Sequence, residues 1–481
     1  MDIFTKIENQ KTRFILSAVS AVIFHLVYDL IMITGNFTVY FLSYIRYKQT
    51  WVDINYGNLM RPVVLLALSI FSPLSGVLEH FFGIRIAVFI GAFIVEIGFV
   101  LLYFQRNIWH FYSLTVLLGI GTGLSSEILV KNACCYYPDK KGLISSSIAS
   151  IGTLVSSGYS ILGEFMINPE RVELKGNNET YYEESIAERS RTFFLSLMII
   201  IPIITLLSLF LLYTYSPECE INTRKIEDEI KGPMLEEENE ESKEDNNSRR
   251  DVSNSFSKST YKSNIMKAIK RWRFWRNTLI MGLMPYIIYF EESTSRPYSS
   301  ILGVDTTVIG FMAGSTNILG CLINPIWAFG VDKFGFQPVI KIIASLIIFV
   351  SIYFCIFMGN KVFYVIGLYI SCTLRGGILS SFIPHIMHIF GLKYFLIIGG
   401  LGRLFTQLIG FSAGLVSIII SIFRKGLQLT LPYRIVCIFS LGFAIFGLFL
   451  SFYENDDKFQ FDEEGENKDK EEKHEELQTL V

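Results

Sequence analysis

Of the 481 residues, 51% are hydrophobic and only 18% charged, and the charges are gathered in blocks between apolar runs, which excludes a water-soluble globular domain. The net charge of -2 sums acidic and basic blocks far apart in the chain, so no nucleic-acid partner is expected. The seven cysteines lie mostly inside apolar runs without paired spacing, and neither a disulfide framework, a metal site nor a cofactor is expected.

A hydrocarbon core about 30 Å thick is crossed by about 20 helical residues. Runs of that length lie near 14–42, 58–79, 84–104, 108–130, 143–167 and 193–215, then near 274–290, 307–330, 338–358, 361–389, 394–422 and 429–453. They lack the alternation of a barrel, so helices must satisfy the backbone. The first run follows Lys11 and Arg13 and continues past signal-peptide length with no small-residue cleavage pattern, so it reads as a span. The expected fold class is an all-α integral membrane protein of twelve transmembrane helices in two pseudo-symmetric six-helix bundles. The expected domains are 1–215, the N-terminal bundle; 216–273, a linker; 274–453, the C-terminal bundle; and 454–481, an acidic tail.

An internal echo supports the doubling. Pro73-Leu-Ser-Gly76 leads to Phe82-Gly83-Ile-Arg85, and Pro325-Ile-Trp-Ala leads to Asp332-Lys333-Phe334-Gly335, with Pro, Phe and Gly in one register. Such repeats are typical of transporters whose halves rock about a central site.

The linker holds an acidic block, Glu236 to Asp245, and ends in Lys262, Lys267, Lys270, Arg271, Arg273 and Arg276 interspersed with Ile265, Met266, Ile269, Trp272 and Phe274. Two readings stand for that end: an amphipathic helix on an anionic leaflet, or a solvated linker whose basic end fixes topology. Placing the N-terminus, linker and tail in the cytosol puts the larger share of Lys and Arg there, as the positive-inside rule requires. The sequon Asn178-Glu-Thr180 then faces outside. Plasma membrane and endomembrane stay equally open.

Twelve spans in two halves, the Gly76-to-Arg85 and Gly330-to-Gly335 turns, Gly119-Ile-Gly121-Thr-Gly123 in the fourth run and the Tyr136–Gly142 turn after it resemble the major facilitator superfamily. Within it, the Tyr136–Gly142 turn, Arg273-Phe-Trp275 at the seventh run and Phe390-Gly391-Leu-Lys393 before the eleventh are similar to the oxalate:formate antiporter and monocarboxylate transporter branch. The resemblance implies gating turns at Gly76, Gly83 and Arg85 in one half and at Asp332, Lys333 and Gly335 in the other. Two departures stand out. His80-Phe81 occupies the place where the superfamily turn carries an acid and then a base, and residues 307–330 contain no Arg or Lys where the branch places a basic residue.

An Arg at the bilayer centre costs about 2.5–3.5 kcal/mol on insertion scales, so it faces a wet cavity or a partner. Arg375 in the tenth run and Arg403 in the eleventh, after Gly399-Gly400-Leu-Gly402, both approach the midplane. Each is a candidate to hold a carboxylate through two parallel hydrogen bonds, and each has the alternative of a helix–helix partner. Asn36 and Asn317 are candidate ligand contacts, with interhelical hydrogen bonding as the alternative; Asn324 is in the same position.

Asp29 with His25, and Glu291 with Glu292 at the outer end of the seventh run, are candidates for proton coupling, Asp29 foremost because first spans of the resembled superfamily line its cavity. Glu96 reads as structural, and Glu127 as a partner of Lys131 one turn on. Gly119, Gly121 and Gly123 lie inside a span with no preceding strand, so close helix packing rather than nucleotide binding is expected of them.

The function expected is secondary active transport of a small organic anion, a monocarboxylate, by alternating access, proton-coupled or by exchange. An amino acid or other zwitterion is the alternative cargo. A non-transporting sensor or scaffold is the alternative of another class. No nucleophile–base pairing or nucleotide loop suggests an enzyme.

Overall fold

The computed structural model describes residues 10–28, 40–50, 60–104, 107–170, 172, 182–215, 263–304, 306–422 and 430–453. Asp29, Asn36, the sequon, residues 216–262 and the acidic tail, about which the sequence raises expectations, lie outside them.

The helices are α1 (Gln10–Tyr28), α2 (Met60–Tyr103), α3 (Ile108–Tyr136), α4 (Lys141–Ile167), α5 (Glu184–Leu211), α6 (Trp272–Leu283), α7 (Tyr286–Ile301), α8 (Thr306–Phe334), α9 (Phe336–Phe357), α10 (Lys361–Ile389), α11 (Gly391–Ile422) and α12 (Thr430–Phe452). Short helices also occur at 40–48 and 263–270. No strand occurs among the described residues.

Non-helical dihedrals at Gly83 divide α2 into two spans, and α6 and α7 form one span interrupted at Met284-Pro285. With those adjustments the helices make the expected twelve spans, six before and six after the linker. Hydroxyls inside the spans bond back to carbonyls of the preceding turn, as Ser69 does to Leu65, Thr122 to Leu118 and Ser125 to Gly121. This satisfies them without water.

Outward faces are apolar at helical spacing, as in Ile199, Ile203, Leu206 and Phe210 of α5 and Ile438, Ile445 and Phe449 of α12, all exposed. A bilayer covers such stripes.

The glycine run of α3 packs helices, as expected. A Cβ at Gly119 would lie 2.5 Å from the Val64 carbonyl and one at Gly121 would lie 2.4 Å from the Gly91 carbonyl. These contacts bring α3 against both limbs of α2.

The halves meet through α2 with α11 and through α4 with α8. Exchange the second span for the eighth and the fifth for the eleventh, and one contact becomes the other. At one end the approach is tight: a Cβ at Gly400 would lie 2.7 Å from Pro73 N, one at Gly76 would lie 2.8 Å from Ile397, and one at Gly142 would lie 2.8 Å from the Ala328 carbonyl.

That same end carries the repeated turns, where Gly83 (φ 76°, ψ 167°) and Gly335 (φ 85°, ψ 167°) reverse the chain alike. Asp332 crosses between bundles and accepts from the first backbone amides of α4, Gly142 N at 3.0 Å and Leu143 N at 2.8 Å. A carboxylate there also meets the positive end of the helix dipole. Arg85 instead stays within its own bundle, its Nε and Nη2 donating to the Leu212 carbonyl at 3.2 and 2.9 Å. Lys333 lies over the rings of Phe329 and Phe334.

Two expectations are corrected. The seventh span does not end at residue 290: α7 runs on to Ile301, because Glu291, Thr294, Tyr298 and Ser299 end the apolar run yet face the bundle interior, where all four are buried. Glu291 therefore lies well inside the helix instead of at its outer end. Glu127 does not pair with Lys131; Lys131 Nζ bonds both oxygens of Glu79 on α2, at 2.9 and 2.7 Å. The linker's basic end includes the helix at 263–270, seated by buried Ala268 and by Asn264, which donates to the Tyr394 hydroxyl at 3.1 Å.

Candidate functional site

Three small-residue positions let α11 run close against its neighbours, and Arg403 follows them directly. Gly400 abuts Pro73 of α2, while a Cβ at Gly402 would stand 3.5 Å from Thr278 of α6. The Arg403 side chain reaches out of the C-terminal bundle to α3 of the N-terminal one, where Nη1 donates to Glu127 Oε1. The arginine side chain is 29% exposed and the glutamate 12%, so the pair is neither a solvated surface contact nor fully dry. Glu127 Oε2 is buried and has no hydrogen-bond partner among the described residues.

The pair borders a cavity of about 30 Å3, room for about two waters. Its wall is otherwise apolar, with Phe382, Ile383 and Ile386 of α10 and Phe395 of α11, and Ser72 enters from α2. In this apolar setting a charge–charge contact is stronger than in water, and removing one partner leaves the other uncompensated. His25 of α1 is half-buried and is not among the residues lining the cavity. Residues from α3 and α11 thus converge where the bundles meet, and one of them, Arg403, is a sequence candidate.

The other candidates lie elsewhere. Arg375 is half-buried on α10 and is not among the residues lining the cavity. Beside it, Asn324 Oδ1 fills the space that a Cβ at Gly376 would take, and the Trp327 ring does the same at Gly377, so this stretch is a close α8–α10 contact. Asn317 lies on α8, with its side chain outside the described residues.

Glu291 is 2% exposed and accepts from the Tyr364 hydroxyl at 2.9 Å. Tyr298 packs between Tyr364 and Tyr433, with ring centroids 5.0 and 4.3 Å away. This is a buried polar cluster inside the C-terminal bundle.

Sequence reasoning did not bring Glu127 to this cavity. One signal was available: a second acid, Glu79, stood ready to occupy Lys131, leaving Glu127 for another cation.

The family model of the Major Facilitator Superfamily matches residues 26–379. A curated relative, "Monocarboxylate transporter 9" of Pongo abelii, is 33% identical over 115 residues, which is 24% of this chain and 20% of that protein. The match thus spans about one fifth of the relative's length. Among solved structures, the partially occluded inward-open conformation of the xylose transporter XylE from E. coli is similar at TM-score 0.58 and 14% identity, covering 93% of this chain and all of that one. A double-tryptophan variant of XylE is similar at TM-score 0.62 and 14% identity, covering 92% and 94%. At that identity the likeness shows the fold. With twelve spans in two bundles, a charged cavity between them and a family model covering well over half of its length, the chain belongs to the major facilitator superfamily.

Proposed function

We propose that this protein is an alternating-access transporter that carries a small organic anion, a monocarboxylate, and that Arg403 is the cation that holds it. The carrying observation is that Arg403, at the cavity between the bundles, already grips a carboxylate, that of Glu127. The short match to a protein named as a monocarboxylate transporter points the same way. A guanidinium suits this cargo because its planar fork matches a carboxylate with two parallel hydrogen bonds. Asp29 stays the first candidate to carry a coupled proton, with His25 on α1 and buried Glu291 after it. In this reading residues 1–215 and 274–453 are the rocking halves, the linker 216–273, tail 454–481 and both termini are cytosolic, and the end closed by Gly83, Gly335 and Asp332 faces the cytosol.

The test is uptake into vesicles reconstituted with the full chain, using labelled lactate, pyruvate and butyrate against alanine and xylose. Arg403→Ala is expected to lower carboxylate uptake at least about tenfold at equal protein content, because a charge-assisted hydrogen bond is worth about 1.5–3 kcal/mol. Arg403→Lys recovers only part, since it keeps the charge and loses the fork. Arg375→Ala is expected to have a similar or smaller effect. Normal uptake by Arg403→Ala, or preference for alanine or xylose, overturns the reading.

A further inference from the structure

We infer that Glu127 is a built-in rival of the substrate: it occupies Arg403 while the carrier is empty and gives it up when a carboxylate arrives. The inference rests on the anion reading above and adds a residue that sets affinity and transport mode.

Four observations carry it. Glu127 and Arg403 come from opposite bundles, so the contact must be remade whenever the bundles rock. Both border the interbundle cavity, so a ligand entering it meets the pair directly. The chemistry is the same in both states, because a side-chain carboxylate and a substrate carboxylate ask for the same guanidinium donors. Glu127 also engages through Oε1 alone while Oε2 is buried without a partner among the described residues, so the glutamate uses less of the fork than a bidentate ligand can. The neighbouring cation is accounted for. Lys131, one turn further along α3, is held by Glu79, so Glu127 has no competing partner on its own helix.

Two consequences follow. A substrate must first displace Glu127, so the glutamate weakens apparent affinity. In return, the empty carrier can pass through its occluded state with Arg403 neutralised, whereas an unpaired buried guanidinium would be costly to enclose. Glu127 therefore permits net transport, in which the carrier returns empty. Without it the carrier is expected to become an exchanger that moves only when loaded on both legs.

The experiment uses the full chain in vesicles and whichever of lactate, pyruvate or butyrate the wild-type protein takes up. Glu127→Gln is expected to lower the half-saturating concentration about tenfold, the equivalent of one charge-assisted hydrogen bond that need no longer be exchanged. It is also expected to keep exchange against internal acid while net uptake into empty vesicles falls about tenfold. Glu127→Asp retains the carboxylate on a shorter stem and should fall between wild type and Gln in both measures. If the Gln variant does not accumulate, the Asp variant decides alone.

An unchanged half-saturation with exchange and net uptake falling together would mean a purely structural pair and overturns the inference. That result leaves the anion site intact provided uptake still depends on Arg403. Absence of any carboxylate uptake by the wild-type protein, or its indifference to Arg403→Ala, overturns both.

Discussion

Around Gly335 and around Gly83 the chain reverses between two spans with nearly the same dihedrals, φ 85°, ψ 167° and φ 76°, ψ 167°. The side chains around the two corners nonetheless do different work. At the second corner Asp332 reaches across the bundle boundary and caps α4. In the same register of the first corner stands His80, exposed and edge-on to Phe81 with centroids 5.6 Å apart. Arg85, just beyond, is tied to Leu212 of its own bundle. The backbone requirement is local and is met twice, because each pair of spans must turn at the same end. The tie between bundles depends on what the opposing helix offers, and only the second corner supplies an anion to an opposing N-terminus. The closed end is therefore fastened differently on the two sides of its pseudo-twofold axis, with an anionic cap between α8 and α4 and close packing at Gly76 and Gly400 between α2 and α11.

The sharpest way to break the shared part of the comparison is to give the corners a side chain. Both glycines sit in a region of φ and ψ that is almost exclusive to glycine, at a cost of about 1–3 kcal/mol for other residues. Gly83→Ala and Gly335→Ala should each destabilise the protein by that amount. At Gly83 the effect is purely one of backbone, since an added Cβ would meet nothing within 4 Å. Thermal unfolding in detergent should show matching losses. A large loss at one corner and none at the other would end the claim that the corners are equivalent.

The unequal part is tested at Asp332. Replacing it with Ala removes a helix cap and two charge-assisted bonds across the interface, about 2 kcal/mol against the closed end. Native Cys134 reports on the opening, because it is fully buried near that end with its thiol directed to the Lys141 carbonyl at 3.6 Å. In a Cys135→Ser background, maleimide labelling of Cys134, followed by mass spectrometry of its peptide, should quicken at least about tenfold in Asp332→Ala. Asp332→Asn keeps an acceptor and loses the charge, so a smaller rise is expected. Equal labelling in all three would show that the cap does not hold the end shut.

Much of this was legible in the chain, for identifiable reasons. Spans declare themselves by length and apolarity, and the two corners by Pro, Phe and Gly in register. Arg403 stood out because a guanidinium within an apolar run demands an explanation. What the sequence concealed was direction. Glu127 and Lys131 are one turn apart and invite pairing, yet Lys131 leans to Glu79 on α2 and Glu127 to Arg403 on α11. Nothing in a single helix says which neighbour each face will meet. The end of the seventh span was misplaced for a related reason: polar Glu291 and Thr294 end a hydrophobic run, but a helix continues wherever such residues can turn inward to partners such as Tyr364.

The smallest expected effect comes from making the corners alike, with His80→Asp. Pseudo-symmetry sets the His80 position opposite the first turn of α11, as Asp332 is set opposite that of α4, and the contact of Gly76 with Leu396 and Ile397 brings those helices together one turn away. A carboxylate there gains the positive end of the α11 dipole, worth about 0.3–1 kcal/mol at an exposed position. The gain should stay in that range because His80 is exposed, where water competes for the carboxylate and salt screens it. In the same Cys134 assay the substitution should slow labelling by about twofold to fivefold at low salt, with the difference shrinking as salt is raised. Added to Asp332→Ala, it should restore only a minor part of the lost closure, because the new tie fastens α2 to α11 and leaves α4 and α8 unpinned. Full restoration would mean that the two interfaces open as one rigid hinge, and that the inequality at the corners does not govern how the end opens.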